Sequence, residues 1–416
     1  MERILHAASL QGVIKPPCSK SYAQRALAAA LLTPGTTLLH NIEFCDDTRS
    51  AIRCIEALGA TVEQLDESTL RIQGGLRPEG DTLHVGESGL ATRLFTPIAA
   101  LADCPITIEG KGSLLMRPMS MMYDPLRSLG VKLRDGGGFL PIQVEGPMRG
   151  NEVTVDGSIS SQFITGLLIA LASRPEEMTL HVQNPVSTPY IDMTVDVIRR
   201  FGREIDHNDD YTEFFIPQGE GYRPTDFEIE GDWSSAAAWL VGAALAGEVR
   251  IENISPLSRQ ADTLVSRALE RAGASITCEE ESLTVAHRPL KAFQFDATHS
   301  PDLFPVLAAL AASCEGWSEI WGTSRLEHKE SNRAEVLQEE FSKLGIEVDL
   351  STENLMRIRG GKIRGGHCSA HGDHRIAMAL TLMALRSEDP ITIEGAECVA
   401  KSYPTFFEDL ETLTSR

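Results

Sequence analysis

The stretch from Lys15 to Arg25, KPPCSKSYAQR, contains residues that can bind an anion. Its two prolines favour an extended chain, and the apolar pattern that begins near Tyr22 predicts a helix. Lys20, Ser21 and Arg25 then lie at or within one turn of a helix N-terminus, where free N–H groups and the positive end of the dipole favour a phosphate or carboxylate. A serine at such a place is more often only a helix cap, so the stretch alone leaves both interpretations open.

Cationic side chains recur at comparable places farther along the chain. Two stand at later joints between a polar loop and an apolar segment: Arg93 and Arg375. Others stand on loops that follow such segments: Arg117, Lys329, Arg333 and Lys401. A single lysine or arginine is most often a solvated surface charge, but the recurrence beside equivalent joints favours a shared anionic ligand.

The overall charge sets a condition on any such site. The chain has 416 residues and a formal net charge of −21 at pH 7. No basic excess is available to neutralise the phosphates of a nucleic acid or of an anionic membrane, so the composition argues against both partners. The site for an anion would have to be a local group of cations in an acidic protein.

Cysteine and histidine placement argues against a metal centre. The eight cysteines include no C-x-x-C pair, which favours free thiols in a reducing compartment over disulfides or zinc. Cys368 lies near His367, His371 and His374, but glycines interrupt the group and no second cluster accompanies it, so we expect no metal. There is no signal-peptide pattern and no apolar run of spanning length, and we expect a cytoplasmic protein.

An internal repeat dominates the sequence. Each copy has a short strand, a polar loop rich in Ser, Asp and Gly, and an apolar helix; the six joints read CSKSYAQRALAAALL, GESGLATRLFTPIAAL, DGSISSQFITGLLIAL, EGDWSSAAAWLVGAAL, DATHSPDLFPVLAAL and HGDHRIAMALTLMAL. A second, amphipathic helix follows in the first five copies. Each of these ends on a glycine, at intervals of 71 or 72 residues: Gly59, Gly130, Gly202, Gly273 and Gly345. Glycine there is typical of the left-handed residue that ends a helix.

The first helix of each copy is apolar on nearly every side, which predicts that it is buried. We therefore expect an α/β protein with sheets outside and helices inside, three copies to a domain. The predicted domains are 15–228 and, discontinuously, 1–14 with 229–416; the hinges are expected at about 14–20 and 224–231. Six helix N-termini could then face one cleft between the domains and attract anions there.

In its repeats and in several ordered motifs, the chain resembles the enolpyruvyl transferases, and among them the EPSP synthases. The motifs are SKSYAQR, GESG, MRP, SSQF, STPYID, SPD, KESNR, DHR and CVAKSYP, and the resemblance covers the whole length. It implies a two-domain inside-out α/β barrel with three βαβαββ repeats per domain, six in total.

The resemblance also implies the reaction. The enolpyruvyl group of phosphoenolpyruvate moves to the 5-hydroxyl of shikimate 3-phosphate by addition and elimination, phosphate is released, and no metal or organic cofactor takes part. This is a step of aromatic amino-acid biosynthesis. The implied partners are these two small molecules, and we expect a monomer.

Two sets of binding residues follow from the motifs. The resemblance assigns shikimate 3-phosphate to a set that falls mostly in the first domain: Ser21, Arg25, Ser160, Ser161, Gln162, Ser187, Tyr190, Asp302 and Lys329. It assigns phosphoenolpyruvate to a second set: Lys20, Gly89, Arg117, Gln162, Arg333, Arg375 and Lys401. These residue types suit the chemistry, because arginine clamps phosphate and carboxylate bidentately.

The catalytic residues implied are Asp302, Glu330 and Lys20. The attacking hydroxyl must lose a proton and the methylene carbon must gain one, and two carboxyl groups in different environments suit that division. Our hypothesis is that Asp302 takes the hydroxyl proton and that Glu330, assisted by Lys20, protonates the methylene carbon. The sequence leaves open which carboxylate moves which proton.

Several positions depart from the family pattern. Cys18 stands where glycine is common, Glu87 replaces an asparagine in the loop before Gly89, and Ser113 stands where many members have an arginine. Asn332 replaces an aspartate. Gly89 by itself predicts sensitivity to the family inhibitor glyphosate, and the changes at positions 87 and 113 weaken that prediction.

Two other functions are compatible with parts of this pattern. A UDP-N-acetylglucosamine enolpyruvyl transferase has the same fold and donor, but typically has a reactive cysteine where this chain reads GKGSLLMRP. A non-catalytic sugar-phosphate-binding protein would be expected to lose Asp302, Glu330 or Lys20, and all three are present.

Overall fold

The computed structural model describes residues 1–327 and 329–414. The chain divides into two units, which we call the central unit, Cys18–Ile229, and the terminal unit, Met1–Pro17 with Glu230–Arg416. Each unit is a mixture of helices and small sheets. Within the described ranges, no helix is long and apolar enough to cross a membrane.

Helices are numbered in chain order. Those of the central unit, α1–α6, are Lys20–Leu32, Asp46–Ala57, Gly89–Ala99, Tyr123–Ser128, Ser161–Ala172 and Thr188–Arg200. Those of the terminal unit, α7–α12, are Trp233–Ala246, Val265–Ala272, Phe304–Ala312, Arg333–Lys343, His374–Ala384 and Phe406–Thr414. The helix expected to begin near Tyr22 begins two residues earlier, at Lys20, because the Ser19 hydroxyl caps it by accepting from the Tyr22 N–H at 3.4 Å.

Strands are likewise numbered in chain order. The first two, β1 and β2, are Glu2–Leu5 and Leu10–Ile14. The central unit contains β3–β14: Gly35–His40, Thr61–Gln64, Leu70–Gly74, Thr82–His84, Pro105–Glu109, Lys132–Asp135, Ile142–Glu145, Glu152–Asp156, Met178–Gln183, Asp206–His207, Glu213–Ile216 and Asp226–Glu228. The terminal unit continues with β15–β23: Gly247–Glu252, Ser275–Cys278, Ser282–Ala286, Gln294–Asp296, Gly316–Trp321, Glu347–Asp349, Leu355–Gly360, Gly366–Ser369 and Ile391–Glu394.

One strand pattern recurs among the sheets. A parallel pair is followed by two antiparallel strands in the orders β14-β3-β5-β4, β6-β7-β9-β8, β10-β11-β13-β12, β2-β15-β17-β16 and β18-β19-β21-β20. A further sheet, β1-β23-β22, has three strands. Several parallel pairs are joined by an apolar helix, as in β6-α3-β7 and β10-α5-β11. The N-terminal strands complete sheets of the terminal unit, since β2 pairs with β15 and β1 with β23.

The prediction that left-handed glycines end the second helices is confirmed. All five have a positive φ, between 80° and 104°: Gly59, Gly130, Gly202, Gly273 and Gly345. This left-handed conformation costs a residue with a side chain more than it costs glycine, which explains why glycine recurs at the end of these helices.

The first helices of the copies are buried, as their apolar composition predicts. Every residue of α3 is buried, and α5 is buried at every position except Gln162. The two helices pack closely at Gly166, where a methyl group would lie 2.3 Å from the carbonyl oxygen of Arg93 and 2.8 Å from Pro97 Cγ. Glycine therefore allows the close approach that brings the N-terminal ends of α3 and α5 together.

We expect Gly166→Ala to lower the free energy of unfolding by about 1–3 kcal/mol, because the new methyl group forces α3 and α5 apart. Helix propensity alone would act in the opposite direction, by about 1 kcal/mol. Urea denaturation measures the difference. The control is Gly136→Ala, since nothing lies within 4 Å of a Cβ there; a gain in stability for Gly166→Ala would contradict the packing argument.

Candidate active site

The N-terminus of α1 presents Lys20 beside a buried carboxylate. Lys20 Nζ lies 2.9 Å from Oδ2 of Asp47, which stands in the first turn of α2 and has a side chain only 7% exposed. The sequence-based set did not include Asp47. The aspartate fixes the position of the ammonium group, which is one-fifth exposed and can meet a ligand.

Arg25, one turn farther along α1, is buried and ties three helices together. Its Nε donates to Thr194 Oγ1 at 3.0 Å, its Nη1 to the Ser21 carbonyl at 2.7 Å, and its Nη2 to Thr165 Oγ1 at 3.2 Å and the Tyr190 carbonyl at 3.1 Å. Burial lowers the pKa of Arg25 to about 10, so the side chain stays charged at neutral pH. These four acceptors are neutral, so they position the cation without cancelling its charge.

The N-terminal ends of α3 and α5 bring four predicted residues together. Gly89 begins α3, and a methyl group there would lie 2.9 Å from Arg117 Nη1, 3.2 Å from Arg93 Nη1 and 3.6 Å from Gln162 Oε1. Arg93 Nη1 also donates to Gln162 Oε1 at 2.8 Å. Two guanidinium groups and the free N–H groups of a helix thus surround one glycine, an arrangement that suits a phosphate or a carboxylate.

The remaining predicted residues of the central unit lie at the starts of α5 and α6. Ser160 caps α5, its hydroxyl accepting from the Gln162 N–H at 3.2 Å, and Ser161 is the first, buried residue of the helix. Ser187 precedes α6 in the left-handed conformation, with φ 54°. The Arg25 bond to the Tyr190 carbonyl links this segment to α1.

Three residues that depart from the family pattern, Cys18, Glu87 and Ser113, make contacts within the central unit. Cys18 is buried, and its sulfur accepts from the Glu43 N–H at 3.2 Å. The Glu87 carboxylate lies against Gly112, where a methyl group would be 2.5 Å from it. Arg117 Nη2 donates to Ser113 Oγ at 3.5 Å, at the limit of a hydrogen bond.

In the terminal unit, the side chain of Arg333 contacts three carboxylates. This first residue of α10 is only 1% exposed. Its guanidinium lies 2.8 Å from Asp302 Oδ1, 2.9 Å from Glu330 Oε2 and 2.8 Å from Asp373 Oδ2. Burial by itself would lower the pKa of Arg333, but the three carboxylates outweigh burial and hold the pKa well above its ordinary value.

Asp302 lies on a 3-10 turn, Pro301–Leu303, directly before α9, and has a second cationic partner. Lys329 Nζ is 3.2 Å from the same oxygen that contacts Arg333. Burial by itself would raise the pKa of Asp302, but Lys329, Arg333 and Arg375 outweigh it and hold the pKa well below the ordinary value of 3.8. Asp302 is therefore ionised at neutral pH.

Glu330, Lys401 and Arg375 complete the terminal group. Lys401 Nζ lies 3.6 Å from Glu330 Oε1, and both side chains are largely buried. Arg375, in the first turn of α11, donates from Nη1 to the Ser234 carbonyl at 2.9 Å. Asp373 caps the same helix by accepting from the Arg375 N–H at 2.9 Å, so one aspartate anchors both α11 and Arg333.

Asp47 and Asp373 are the main site residues that sequence reasoning missed. Asp373 opens the motif DHR, whereas Asp47 lies outside the quoted motifs, in the first turn of α2. A buried cation needs a compensating group, so a search for acidic residues at helix starts could have suggested them. The sequence could not say which acid meets which base.

Of the histidines near Cys368, His371 lies in a group of possible metal ligands. Among the described residues, Glu339, Glu340 and His371 could place three ligand atoms near one another. Lys343 Nζ already lies 3.1 Å from Glu339 and 2.7 Å from Glu340, and His371 Nε2 lies 2.6 Å from Glu340. The ammonium group thus takes the place that a cation would need.

We expect Asp302→Asn to lower the free energy of unfolding at pH 7 by about 1–3 kcal/mol, because Lys329 and Arg333 lose a compensating charge. A carboxylate with a depressed pKa stabilises the folded state above its unfolded-state pKa and loses that effect as pH falls through its folded-state pKa. Urea denaturation should thus give the same loss at pH 7 and at about pH 5, and a smaller loss below 3.8. A loss that disappears by pH 5 would contradict the assignment; Asp389→Asn, at an exposed carboxylate, is the control.

Comparisons with known proteins bear on the whole chain. The family model described as EPSP synthase (3-phosphoshikimate 1-carboxyvinyltransferase) matches residues 5–410. A 3-phosphoshikimate 1-carboxyvinyltransferase of Clostridium kluyveri is 35% identical over 413 residues, covering 98% of this chain and 96% of the relative. The protein of the same name from Methanocorpusculum labreanum is 32% identical over 418 residues, covering 99% and 98%. Among solved structures, an EPSP synthase from Acinetobacter baumannii is similar with a TM-score of 0.85 and 27% identity, covering 99% of this chain and 98% of that one.

Proposed function

This chain belongs to the EPSP synthase family, and we propose from that premise which of its residues carry the reaction. It transfers the enolpyruvyl group of phosphoenolpyruvate to shikimate 3-phosphate in the shikimate pathway. We propose that the acceptor atom is the 5-hydroxyl and that the side chains described above suffice without a cofactor.

The central unit, in this proposal, binds shikimate 3-phosphate. The contacts there are Ser21, Arg25, Ser160, Ser161, Gln162, Ser187 and Tyr190. Support comes from the free N–H groups at the start of α5 and from Arg25, a buried cation held by neutral oxygens. Asp302 and Lys329 are proposed to meet the hydroxyls of the same substrate.

Phosphoenolpyruvate is held, we infer, by the cations and the glycine that the family motifs assign to it. The residues are Lys20, Gly89, Arg117, Gln162, Arg333, Arg375 and Lys401. The guanidinium groups near Gly89 support this assignment, because a side chain there would occupy the space that a phosphate or carboxylate would need. Arg333 differs from the others, since three carboxylates already surround it; its part is to position Asp302 and Glu330 as well as to attract the donor.

The proton transfers are assigned to Asp302 and Glu330. The 5-hydroxyl oxygen forms a bond to C2 of the donor as its proton passes to Asp302. C3 receives a proton that Glu330 delivers after taking it from the Lys20 ammonium group. Loss of phosphate from C2 and return of a proton from C3 to Glu330 then restore the double bond. The observation that carries this assignment is the Arg333 side chain, which holds both carboxylates at 2.8 and 2.9 Å. Negative charge on the bound substrates raises the pKa of Asp302 and makes it a better base than in the free protein.

Further features remain proposals of the same kind. We infer an inside-out α/β barrel with three βαβαββ repeats in each unit, supported by the recurring strand pattern. We also infer a monomer and a cytoplasmic location; among the described residues the eight cysteines form no disulfide bond, which is typical of a reducing compartment.

The reaction is tested by phosphate release from phosphoenolpyruvate with each candidate acceptor. Release is expected with shikimate 3-phosphate and not with UDP-N-acetylglucosamine. No release with shikimate 3-phosphate would reject the proposed function.

Asp302→Ala should bind both substrates and lose at least about 100-fold in kcat, since general acid–base catalysis contributes that much or more. Calorimetry measures binding and phosphate release measures turnover. Asp389→Ala is the matched control on an exposed aspartate of the same unit. Near-normal turnover by Asp302→Ala would refute its role in proton transfer.

A further inference from the structure

Asp262 is a buried carboxyl group that the reaction, as assigned above, does not use. It lies on a 3-10 turn, Ala261–Leu264, directly before α8, and is only 3% exposed. Its Oδ2 contacts Ser234 Oγ in the first turn of α7. Among the described residues its Oδ1 has no hydrogen-bond partner. A fully ionised carboxylate with an unsatisfied oxygen is costly to bury, so this environment favours the protonated form.

Charged neighbours on the surrounding elements act on the same group. Asp302 before α9 and Asp232, which caps α7, disfavour a further negative charge, while Arg375 of α11 and the Ser234 hydroxyl favour it. Burial, assisted by Asp302 and Asp232, outweighs the other two and raises the pKa of Asp262 from 3.8 to about 7. The carboxyl group therefore changes charge close to neutral pH.

Ser234 connects Asp262 with Arg375. Its hydroxyl contacts the carboxyl group, and its carbonyl accepts from Arg375 Nη1 at 2.9 Å. Arg375 is 3% exposed, and among the described residues its Nε has no hydrogen-bond partner, so the guanidinium keeps a donor for a ligand.

We propose that Asp262 is a positioning residue whose charge, acting on Arg375 directly and through Ser234, sets how strongly Arg375 attracts the anionic donor. With Asp262 protonated, the positive field of Arg375 is undiminished. With Asp262 ionised, its negative charge offsets part of that field and draws the guanidinium toward the start of α7. The inference rests on the proposed role of Arg375 in holding phosphoenolpyruvate.

The charge state of Asp262 can be measured in the free protein. Infrared difference spectra over a titration from about pH 5.5 to 8.5 should show the carbonyl band of a protonated carboxyl group disappear near neutral pH, and Asp262→Asn should lack this transition. Ser234→Ala should move the transition to higher pH, because it removes a hydroxyl that favours the ionised form while keeping the carbonyl that Arg375 contacts. A missing transition in the wild type, or its persistence in Asp262→Asn, would overturn the inference.

The coupling to substrate is measured by the KM for phosphoenolpyruvate at saturating shikimate 3-phosphate. We expect this KM to rise about tenfold more between pH 6 and 8.5 in the wild type than in Asp262→Asn, with a smaller difference in kcat. Titration of the substrate itself is common to both proteins and cancels in the comparison. Asp389→Asn should show the wild-type rise, because that carboxylate is exposed.

The infrared titration and the KM measurement together distinguish a failure of this inference from a failure of the proposed function. An infrared transition with the same KM rise in wild type and Asp262→Asn would overturn the coupling to Arg375 and leave the family reaction intact. Absence of any turnover of shikimate 3-phosphate by the wild type would instead count against the proposed function, and the infrared result would still decide the charge state of Asp262.

Discussion

The buried guanidinium of Arg333 is the interaction on which the candidate site residues of the terminal unit depend. A charge withdrawn from water must be compensated by nearby groups, or it destabilises the fold by several kcal/mol. Here Asp302, Glu330 and Asp373 provide that compensation, and each belongs to a different segment: the turn before α9, the loop before α10 and the cap of α11. The requirement to compensate one cation therefore fixes the two carboxylates assigned to proton transfer.

The central unit also contains a buried cation, Arg25, but stabilises it with neutral hydrogen-bond acceptors instead of carboxylates. Arg25 is held by two hydroxyls and two carbonyls, so its charge is positioned and not cancelled. Gly89 lies near Arg93 and Arg117 at the start of a buried helix. Neutral acceptors and helix N-termini leave a positive potential for a phosphate, whereas carboxylates suit proton transfer. This difference is the basis of the proposed division between substrate binding and proton transfer in a protein whose net charge is −21.

Asp262 shows how the same electrostatics could regulate the site. Burial and the charge of Asp302 disfavour its ionised form, while Arg375 favours it, so the group lies close to balance at neutral pH. In contrast, Asp302 is surrounded by cations and stays ionised. Two aspartates of one unit thus have opposite pKa shifts because one lies mainly against cations and the other has an oxygen without a hydrogen-bond partner among the described residues.

The amino-acid sequence determined what depends on neighbours along the chain. Apolar composition marked the buried helices, glycines at positive φ ended the second helices, and ordered motifs identified the family and its reaction. Most site residues could be named for the same reason, since each lies inside a short motif. The sequence could not pair Lys20 with Asp47, or Arg333 with Asp373, nor predict the charge of Asp262. Only the tertiary structure decided these, because the partner of a buried charge, and hence its pKa, is set by distance in space between segments far apart in the chain.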